Sequence, residues 1–271
     1  MIYSIKNKIE KYVPLPVLNM IKTSFAIGYF GDYTTWEEAK NASMGYDDEV
    51  IMVKVRDSLL KVKNGEANYE RDSILFDNIE YSWPVLAGLL WIASRNNNAL
   101  NLIDFGGSLG STYFQNRNFL NHLLELRWNI VEQKTFVECG KEYFEDRQLK
   151  FYYSLDDCIK EKNPDTLLLS SVIQYLEDPF AFIEEIMTKD FEYIIIDRTP
   201  FLFGEKNDRL TVQKVPAQIY RTSYPARFFN MSKFLALFSL KYTLVADFTS
   251  NDRANIPSVF KGFIFKHRDL N

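Results

Sequence analysis

The chain has 271 residues and a formal net charge of −4, and 46% of its residues are hydrophobic. This acidic balance argues against a nucleic-acid-binding protein, which normally displays a basic face. The apolar content is sufficient for a large core, whereas the longest apolar run, residues 85–93, is far shorter than the roughly 20 residues of a membrane span. These features predict a globular, cytoplasmic protein that acts on a small molecule or a glycan.

Residues 1–98 show no alternation of short strands and predict a mainly helical cap beside the ligand cleft of residues 99–271. Apolar residues recur at helical spacing in residues 48–64, and residues 83–95 are a second, more apolar helix candidate. The first 25 residues combine isoleucines with lysines. This pattern favours a terminal helix packed on the domain, and weak contact with an anionic membrane surface is the alternative.

From residue 99 onward, short apolar runs alternate with amphipathic segments, which is typical of βα units and a mostly parallel sheet. These runs predict strands at residues 101–105, 127–132, 149–154, 166–171 and 193–197. Helices are expected between and after them, at residues 111–126, 134–147 and 232–240.

The end of the chain departs from that alternation. Residues 242–248 and 260–266 are strand candidates joined by a polar region that is too short for a crossover helix. Without a crossover, two such strands are expected to pair antiparallel. The sequence therefore predicts an α/β fold in which a Rossmann-like, mostly parallel sheet is closed by a C-terminal antiparallel hairpin.

Residues 199–230 form a stretch too long for an ordinary connection between a strand and a helix. The stretch mixes prolines with polar and aromatic residues that include Tyr220, Arg221, Tyr224 and Arg227. Long loops in compact domains are often functional. We therefore predict a lid-like insertion over the cleft, with a surface insertion that contacts no ligand as the alternative.

The most informative segment is the apolar run that ends in Asp104 and breaks into glycines before a helix-like segment. Glycines such as Gly106, Gly107 and Gly110 allow a ligand to approach the backbone where a Cβ would collide. A helix that follows such a turn presents unpaired N–H groups in its first turn. The turn is therefore a candidate nucleoside site.

The next apolar run ends in Glu132. In an open parallel sheet, ligands bind outside the carboxyl ends of the strands, and an acid at the end of the second strand accepts hydrogen bonds from both ribose hydroxyls. Glu132 is therefore the strongest single candidate for a cofactor-binding residue. The alternative is that Glu132 only caps the following helix.

Eight segments of the sequence carry a resemblance. Four of them resemble the successive motifs of class I S-adenosylmethionine-dependent methyltransferases, whose sheet also ends in an antiparallel hairpin: residues 105–110, 128–132, 167–179 and 193–200. The other four resemble a family of bacterial methyltransferases often associated with surface-polysaccharide biosynthesis genes: residues 69–76, 81–84, 137–140 and 252–257. The resemblance spans about residues 28–267 and does not identify the methyl acceptor.

The resemblance implies S-adenosylmethionine as the cofactor and S-adenosylhomocysteine as the product. Asp104 begins the acid-x-Gly-x-Gly-x-Gly signature, and Gly106 and Gly110 take glycine positions. The other implied cofactor positions are Gly107 and Ser108 in the turn, Glu132 at the ribose, Ser154 and Leu155 at the adenine, and Ser170 and Ser171 below the sulfonium methyl.

Two of these positions depart from the family pattern. Ser108 replaces the central glycine; it is small enough to keep the turn and offers a hydroxyl to the amino-acid end of the cofactor. Ser154 replaces the commoner aspartate at the adenine. Asp156 and Asp157 follow it, and either one substitutes for that acid or both start the next helix, where carboxylates suit the helix dipole.

Methyl transfer from a sulfonium is an in-line displacement, so the main task of the protein is to align donor and acceptor. A hydroxyl acceptor must also lose its proton, and the candidate bases are Asp197, Tyr175 and Glu80. Arg198, beside Asp197, is placed to bind a carboxylate or phosphate of the acceptor. A structural salt link or a helix cap is the alternative role for this pair.

The sequence thus predicts a methyltransferase that acts on a small-molecule or glycan acceptor, with O-methylation in surface-polysaccharide biosynthesis implied by the resemblance. No metal is expected, because Cys139 and Cys158 lack metal-ligand spacing and indicate reduced packing residues. One alternative is a non-catalytic cofactor-binding or scaffold protein of a polysaccharide assembly system. The other is an NAD-binding oxidoreductase, since the glycine turn loosely fits the dinucleotide pattern; the C-terminal hairpin argues against it.

Overall fold

The computed structural model of the protein describes residues 28–45, 48–204, 207–215 and 222–270. Its strands in chain order are β1 (Gly28–Tyr33), β2 (Tyr69–Arg71), β3 (Ile74–Phe76), β4 (Ala99–Phe105), β5 (Glu125–Val131), β6 (Leu149–Tyr152), β7 (Thr166–Ser170), β8 (Tyr193–Leu202), β9 (Arg209–Lys214), β10 (Ser223–Phe228), β11 (Tyr242–Thr249) and β12 (Ser258–His267). Its α-helices are α1 (Trp36–Asn41), α2 (Asp48–Lys63), α3 (Trp83–Arg95), α4 (Ser111–Leu120), α5 (Lys134–Tyr143), α6 (Leu155–Lys162), α7 (Pro179–Met187) and α8 (Met231–Phe238). A 3-10 turn spans Ile173–Tyr175.

The main sheet has seven strands in the order β6-β5-β4-β7-β8-β12-β11. The first five of these strands pair parallel. β12 runs antiparallel to both of its neighbours, β8 and β11. The predicted fold class, a mostly parallel α/β sheet closed by a C-terminal antiparallel hairpin, is confirmed.

Helices cover both faces of the main sheet. Helices α2 to α5 pack on one face and α6 to α8 on the other, so that two apolar layers enclose the strands. The side chains of β8 show the alternation that produces this arrangement: Ile195 belongs to the first layer, whereas Ile194 and Ile196 belong to the second. A central parallel strand buried on both faces reads as a continuous apolar run, which is why the sequence predicted these strands well.

Two helices are shorter than the sequence predicted. The helix expected at residues 111–126 ends at Leu120, because the backbone turns there and β5 must begin at Glu125 to pair with Ala99 of β4. The helix expected at residues 134–147 ends at Tyr143. Three residues later, the Asp146 carboxylate accepts hydrogen bonds from the N–H groups of Gln148 and Leu149, and β6 begins at Leu149. Apolar periodicity continued past both ends because the turn residues are also partly apolar.

The described part of residues 1–98 is mainly helical, and it also contains three short strands that the sequence did not predict. β1 pairs antiparallel with β9, and β9 pairs antiparallel with β10, which gives a three-stranded sheet that we call the small sheet. β2 and β3 form a separate short hairpin. A strand as short as these carries little periodicity, and the partner of β1 lies far along the chain. The domain boundary at residue 98 stays a prediction.

The insertion predicted at residues 199–230 contains the end of β8 together with β9 and β10, so it contributes most of the small sheet. Tyr220 and Arg221 lie outside the described residues, as do the first 25 residues on which the membrane-contact alternative rests. None of the helices in the described part of the chain has the length and apolar character needed to cross a membrane.

Candidate functional site

The carboxyl ends of the parallel strands meet at one edge of the main sheet. The Gly106 N–H, just after β4, donates to the Val131 carbonyl at 2.9 Å, and the Glu132 N–H, just after β5, donates to the Tyr152 carbonyl at 3.2 Å. Ser170, the last residue of β7, lies directly opposite Asp197 of β8. The parallel pairing therefore gathers most of the predicted site residues along this edge.

The glycine turn has the backbone that the sequence implied. Gly106 has a φ of +71°, and a Cβ at this position would overlap Cγ2 of Val172. A Cβ on Gly107 would lie 2.6 Å from Oδ2 of Asp104. Ser108, in the place of the central glycine, adopts a left-handed φ of 55°. The glycines are therefore required by the close packing of Val172 and Asp104 against the turn, and α4 starts directly after it.

Asp104 lies below this turn with only 1% of its surface exposed. The Trp128 indole N–H donates to its Oδ2 at 3.1 Å. Burial raises the pKa of Asp104 to about 7, against the effect of the Trp128 hydrogen bond, and the nearby charge of Glu132 adds to the rise. Asp104 thus supports the turn from inside the protein, and its carboxyl group does not open onto the cleft.

Glu132 lies partly exposed at the end of β5. Its Oε2 accepts a hydrogen bond from the Gln133 N–H at 2.6 Å, and Gln133 is the N-cap residue of α5. The carboxylate is therefore at the strand end expected for a ribose-binding acid, and it also touches the start of the helix. The role of Glu132 at the ribose stays a prediction.

Ser154 and Leu155 are engaged within the protein. Ser154 is the N-cap residue of α6, and its hydroxyl accepts from the Asp157 N–H at 3.1 Å. Leu155 is buried in the apolar layer of the second face. Asp156 and Asp157 occupy the first helical turn, and Asp156 pairs with Lys189 at 2.5 Å. The structure therefore places both aspartates at the helix start, as one of the two alternatives proposed.

The pair formed by Ser170 and Asp197 is the chemically most distinctive feature of this edge. Asp197 is 3% exposed, and its Oδ2 accepts a hydrogen bond from the Ser170 hydroxyl at 3.2 Å. Its Oδ1 is buried and has no hydrogen-bond partner among the described residues. Burial raises the pKa of Asp197, whereas the Arg198 guanidinium opposes that rise. A buried carboxyl oxygen without a partner is costly, which makes Asp197 a candidate contact for a hydrogen-bond donor of a ligand.

Ser171 and Arg198 flank this pair, and both have left-handed backbone conformations, with φ values of 57° and 53°. The Gln174 side-chain amide lies between them and donates to the Ser171 hydroxyl at 3.0 Å and to the Arg198 carbonyl at 3.3 Å. Nε of Arg198 lies 4.0 Å from Oδ2 of Asp197. Gln174, which the sequence did not single out, therefore ties the two strand ends together.

Tyr175 belongs to the 3-10 turn and contacts the small sheet. Its hydroxyl donates to Oε1 of Gln213 at 2.8 Å, and its ring meets Tyr224 edge-on with 5.2 Å between centroids. Burial raises its pKa. Of the candidate bases, Tyr175 is thus already committed to Gln213, which leaves Asp197 as the one with an unpaired buried oxygen in the described residues.

Glu80 and the cysteines lie away from the strand edge. Glu80 is exposed, and its carbonyl accepts from the Gln115 side chain of α4. Cys139 and Cys158 are free and buried in α5 and α6, and burial raises their pKa values to about 11 and about 12. The described residues contain no group of histidine, cysteine and acidic side chains suited to a metal ion.

Sequence reasoning assigned no role to an acidic residue of the β2–β3 hairpin, Glu70. It is 1% exposed and accepts hydrogen bonds from the Ser111 hydroxyl at 2.5 Å and the Ser73 N–H at 2.6 Å. Burial raises its pKa to about 7. Ser111 is the first residue of α4, so Glu70 anchors the hairpin beside the glycine turn.

A second missed group joins the hairpin to the segment between β11 and β12. The Arg71 guanidinium forms an ion pair with Asp252, whose other oxygen accepts from the Ser250 hydroxyl at 3.1 Å. Burial alone would raise the pKa of Asp252, but Arg198 and Arg71 hold it below its usual value. The sequence did point to both segments, because residues 69–76 and 252–257 resemble the same family, but it did not indicate that they contact each other.

Comparisons with known proteins give distant structural similarities. No family model and no curated protein matches the chain. The N-terminal domain of EvdMO1, solved in the presence of S-adenosylhomocysteine and D-fucose, is 12% identical with a TM-score of 0.47, covering 82% of this chain and 98% of that one. The 1,6-didemethyltoxoflavin-N1-methyltransferase of Burkholderia thailandensis, with bound S-adenosylhomocysteine, is 12% identical with a TM-score of 0.40, covering 83% and 92%.

A third similar structure is the magnesium protoporphyrin IX methyltransferase of Synechocystis with bound S-adenosylhomocysteine. It is 13% identical to this chain with a TM-score of 0.44, covering 68% of this chain and 80% of that one. Similarity at this distance assigns no substrate and no activity to this chain. What the site can do chemically follows from its own residues.

The first prediction concerns the glycine turn. Gly106→Ala should destabilise the protein more than Gly65→Ala. Both glycines have positive φ, +71° and +78°, but a Cβ at position 65 meets open space, whereas one at position 106 overlaps Val172. Both variants place a non-glycine residue at positive φ, which costs about 1–2 kcal/mol in each. Any additional loss of unfolding free energy in Gly106→Ala, measured by urea denaturation, therefore reports the packing of the turn. Equal losses would show that Val172 moves aside freely.

The second prediction concerns the buried acid Glu70. Folding raises the pKa of Glu70 from 4.5 to about 7. The stabilisation that the neutral carboxyl group provides is therefore fully present below pH 4.5, the pKa in the unfolded chain, and is lost as the pH rises towards 7. Relative to the wild type, Glu70→Gln should therefore gain stability over this range, by at most about 1.4 kcal/mol per pH unit. Urea denaturation at several pH values measures the difference, and a difference that does not change with pH would contradict a neutral, buried Glu70.

Proposed function

We propose that the protein is an S-adenosylmethionine-dependent methyltransferase that methylates a hydroxyl of a small-molecule or glycan acceptor. The observation that carries this proposal is the buried Asp197, whose Oδ1 lacks a partner among the described residues and whose strand end lies next to Ser170. One sheet edge therefore combines a glycine turn in front of a helix, an acid at the end of the second strand and a buried carboxyl oxygen without a partner among the described residues.

The residues of this edge fit the cofactor. The glycine turn after β4 has positive φ at Gly106 and Gly110 and is followed directly by α4, whose first N–H groups suit the amino-acid end and ribose of a nucleoside ligand. Glu132 at the end of β5 would hold the ribose hydroxyls, and the Ser108 hydroxyl lies in the turn itself. The Ser154 hydroxyl would have to give up its hydrogen bond from the Asp157 N–H in order to contact the adenine. We therefore place the adenine near the end of β6 without naming a residue that binds it.

The bound cofactor supplies a methyl group on a sulfonium. Asp197 accepts the proton of the acceptor hydroxyl at Oδ1, while Ser170 holds Oδ2. Bound at this edge, S-adenosylmethionine would supply the methyl group to the oxygen of the acceptor hydroxyl and would leave as S-adenosylhomocysteine, with the electron pair of the broken carbon–sulfur bond on sulfur. Because burial raises the pKa of Asp197, its ionised form is a stronger base than a carboxylate in water.

The acceptor class has two supports. The small sheet and the 3-10 turn place the hydroxyls and amide of Tyr175, Tyr224 and Gln213 together beside the strand edge, and aromatic rings with polar tips suit sugar rings. The resemblance of residues 69–76 and 252–257 to a family associated with surface-polysaccharide genes favours a sugar hydroxyl in that biosynthesis and a cytoplasmic site of action.

Calorimetric titration of the purified protein with S-adenosylmethionine, S-adenosylhomocysteine and NAD tests the cofactor. Glu132→Ala should weaken binding of the adenosyl compounds by roughly 10-fold or more, because charge-assisted ribose contacts are lost. Glu138→Ala is the matched control, since it removes an exposed carboxylate of α5 that pairs with Lys134 at 3.7 Å. NAD binding without adenosyl binding would favour the oxidoreductase alternative, and an unchanged Glu132→Ala affinity would contradict the ribose assignment.

Asp197→Asn separates catalysis from binding. Asparagine preserves the shape of the side chain but accepts no proton, so transfer of labelled methyl to a panel of free and nucleotide-linked sugars should fall by roughly 100-fold or more. Affinity for S-adenosylhomocysteine should stay unchanged. Asp247→Asn, at an exposed carboxylate paired with Lys261, is the control. Wild-type protein that binds the cofactor and transfers methyl to no acceptor would favour the scaffold alternative.

A further inference from the structure

Two arginines border the strand edge, and their environments differ. Arg71, on the β2–β3 hairpin, forms an ion pair with Asp252 and lies 3.7 Å from the carboxylate of Asp72. Its charge is therefore neutralised within the protein. Arg198 lies on β8, immediately after the buried Asp197.

Arg198 keeps its hydrogen-bonding capacity. Its guanidinium donates no hydrogen bond within the described part of the chain, and the carboxylate that it approaches, Asp197, lies 4.0 Å away. Its side chain is 25% exposed. An arginine carries five N–H donors in a planar fork that matches a carboxylate or phosphate. Arg198 thus lies near the charges of Asp197 and Asp252, but among the described residues its guanidinium N–H groups donate no hydrogen bond.

The charge of Arg198 acts on groups from several elements around the cleft. It holds the pKa of Asp252, in the segment between β11 and β12, below its usual value, and it opposes the rise in pKa that burial causes at Asp104, Tyr69 and Tyr175. Arg198 therefore acts electrostatically on Asp252 as well as on Asp197, which its Nε approaches to 4.0 Å.

A second, independent observation marks the same place as a ligand site. Oδ1 of Asp197 is buried without a partner among the described residues. Within the described part of the chain, a guanidinium that donates no hydrogen bond and a buried carboxyl oxygen without a partner therefore stand on consecutive residues. The left-handed φ of Arg198, 53°, changes the strand geometry between them, and the Gln174 amide holds that conformation by donating to the Arg198 carbonyl.

We propose that Arg198 binds an anionic group, a carboxylate or a phosphate, on the same acceptor whose hydroxyl donates to Asp197. This inference rests on the proposed methyltransferase function and narrows its acceptor to an acidic or phosphate-bearing sugar or small molecule. The strand order supports the acceptor as the source of the anion, because β7 separates β8, which carries Arg198, from the glycine turn after β4.

Binding of an anion to Arg198 has a consequence for Asp197. The guanidinium partly offsets the rise in pKa that burial causes at Asp197. An anion on Arg198 cancels some of that effect, so the pKa of Asp197 rises further and its carboxylate becomes a stronger proton acceptor. Recognition of the acidic acceptor and activation of its hydroxyl are thereby coupled through one side chain.

Titration calorimetry with sodium glucuronate, inorganic pyrophosphate and uncharged glucose tests the proposal on the full chain loaded with S-adenosylhomocysteine. Wild-type protein should bind at least one anion and bind glucose more weakly. Arg198→Gln should weaken anion binding by roughly 10-fold or more, and Arg198→Lys should fall in between, because lysine keeps the charge but not the fork. Arg127→Gln, which removes an exposed arginine at the opposite end of β5, is the matched control.

The other source of an oxyanion is the carboxylate of the cofactor itself. S-adenosylhomocysteine and 5′-methylthioadenosine, which lacks that carboxylate, distinguish the two sources when they are titrated into unloaded Arg198→Gln. Unchanged affinity for both compounds supports the acceptor. A loss of affinity for S-adenosylhomocysteine alone would overturn the proposal. Two other results would also overturn it: wild-type protein that binds neither anion at about 10 mM, and an Arg198→Gln variant that binds anions as tightly as the wild type.

These outcomes are separable from failure of the proposed function. Wild-type protein that binds neither S-adenosylmethionine nor S-adenosylhomocysteine would refute the methyltransferase assignment whatever the anion titrations show. Anion titration into the unloaded protein, with the same arginine variants, then still reports whether Arg198 forms an oxyanion site. Far-UV circular dichroism and thermal melts of each variant establish that it is folded.

Discussion

The parallel pairing of β4, β7 and β8 is the constraint on which the rest of the site depends. It places Asp104 opposite Leu168, and it places Ser170 opposite Asp197, so that strand ends far apart in the chain reach the same edge. A shift by one residue would exchange the two faces of each strand, and it would turn Asp197 from the cleft towards an apolar layer. The core residues of β7 and β8 that resist such a shift are therefore also what orients the candidate base.

Buried acids are the second characteristic of this edge. Asp104, Glu70 and Asp197 are each at most 3% exposed, and burial raises the pKa of every one of them. Asp104 and Glu70 are satisfied by hydrogen bonds from Trp128 and Ser111, and they support the glycine turn from two sides. Asp197 differs because one of its oxygens has no partner in the described residues. The same physical effect thus serves structure at two positions and offers chemistry at the third.

Contacts between distant segments hold the elements around this edge together. Asp252 binds Arg71, and the Asn255 side chain both accepts from the Tyr29 N–H at 2.7 Å and donates to the Tyr29 carbonyl at 2.8 Å. One segment between β11 and β12 therefore joins the β2–β3 hairpin and the small sheet to the C-terminal end of the main sheet. The elements that carry Glu70, Tyr175 and Arg198 are held in one arrangement by these few polar contacts.

The sequence by itself determined the strands of the parallel sheet, the C-terminal hairpin, the glycine turn and the position of Glu132 at a strand end. These features follow from local patterns: continuous apolar runs, glycine where the backbone needs positive φ, and a polar residue where burial ends. The sequence also placed Asp197 and Arg198 side by side, because they are adjacent in the chain, but it could not tell a salt link from a ligand site.

Only the tertiary structure decided the remainder. The small sheet joins β1 to strands about 180 residues later in the chain. Strands this short show no clear alternation of polar and apolar residues, so the sequence did not indicate the pairing. The ion pair of Arg71 with Asp252 and the burial of Glu70 beside Ser111 likewise depend on distant segments meeting. Among the described residues, Oδ1 of Asp197 has no hydrogen-bond partner and the Arg198 guanidinium donates no hydrogen bond. Both are properties of packing, because burial and partners arise only when the whole chain has folded.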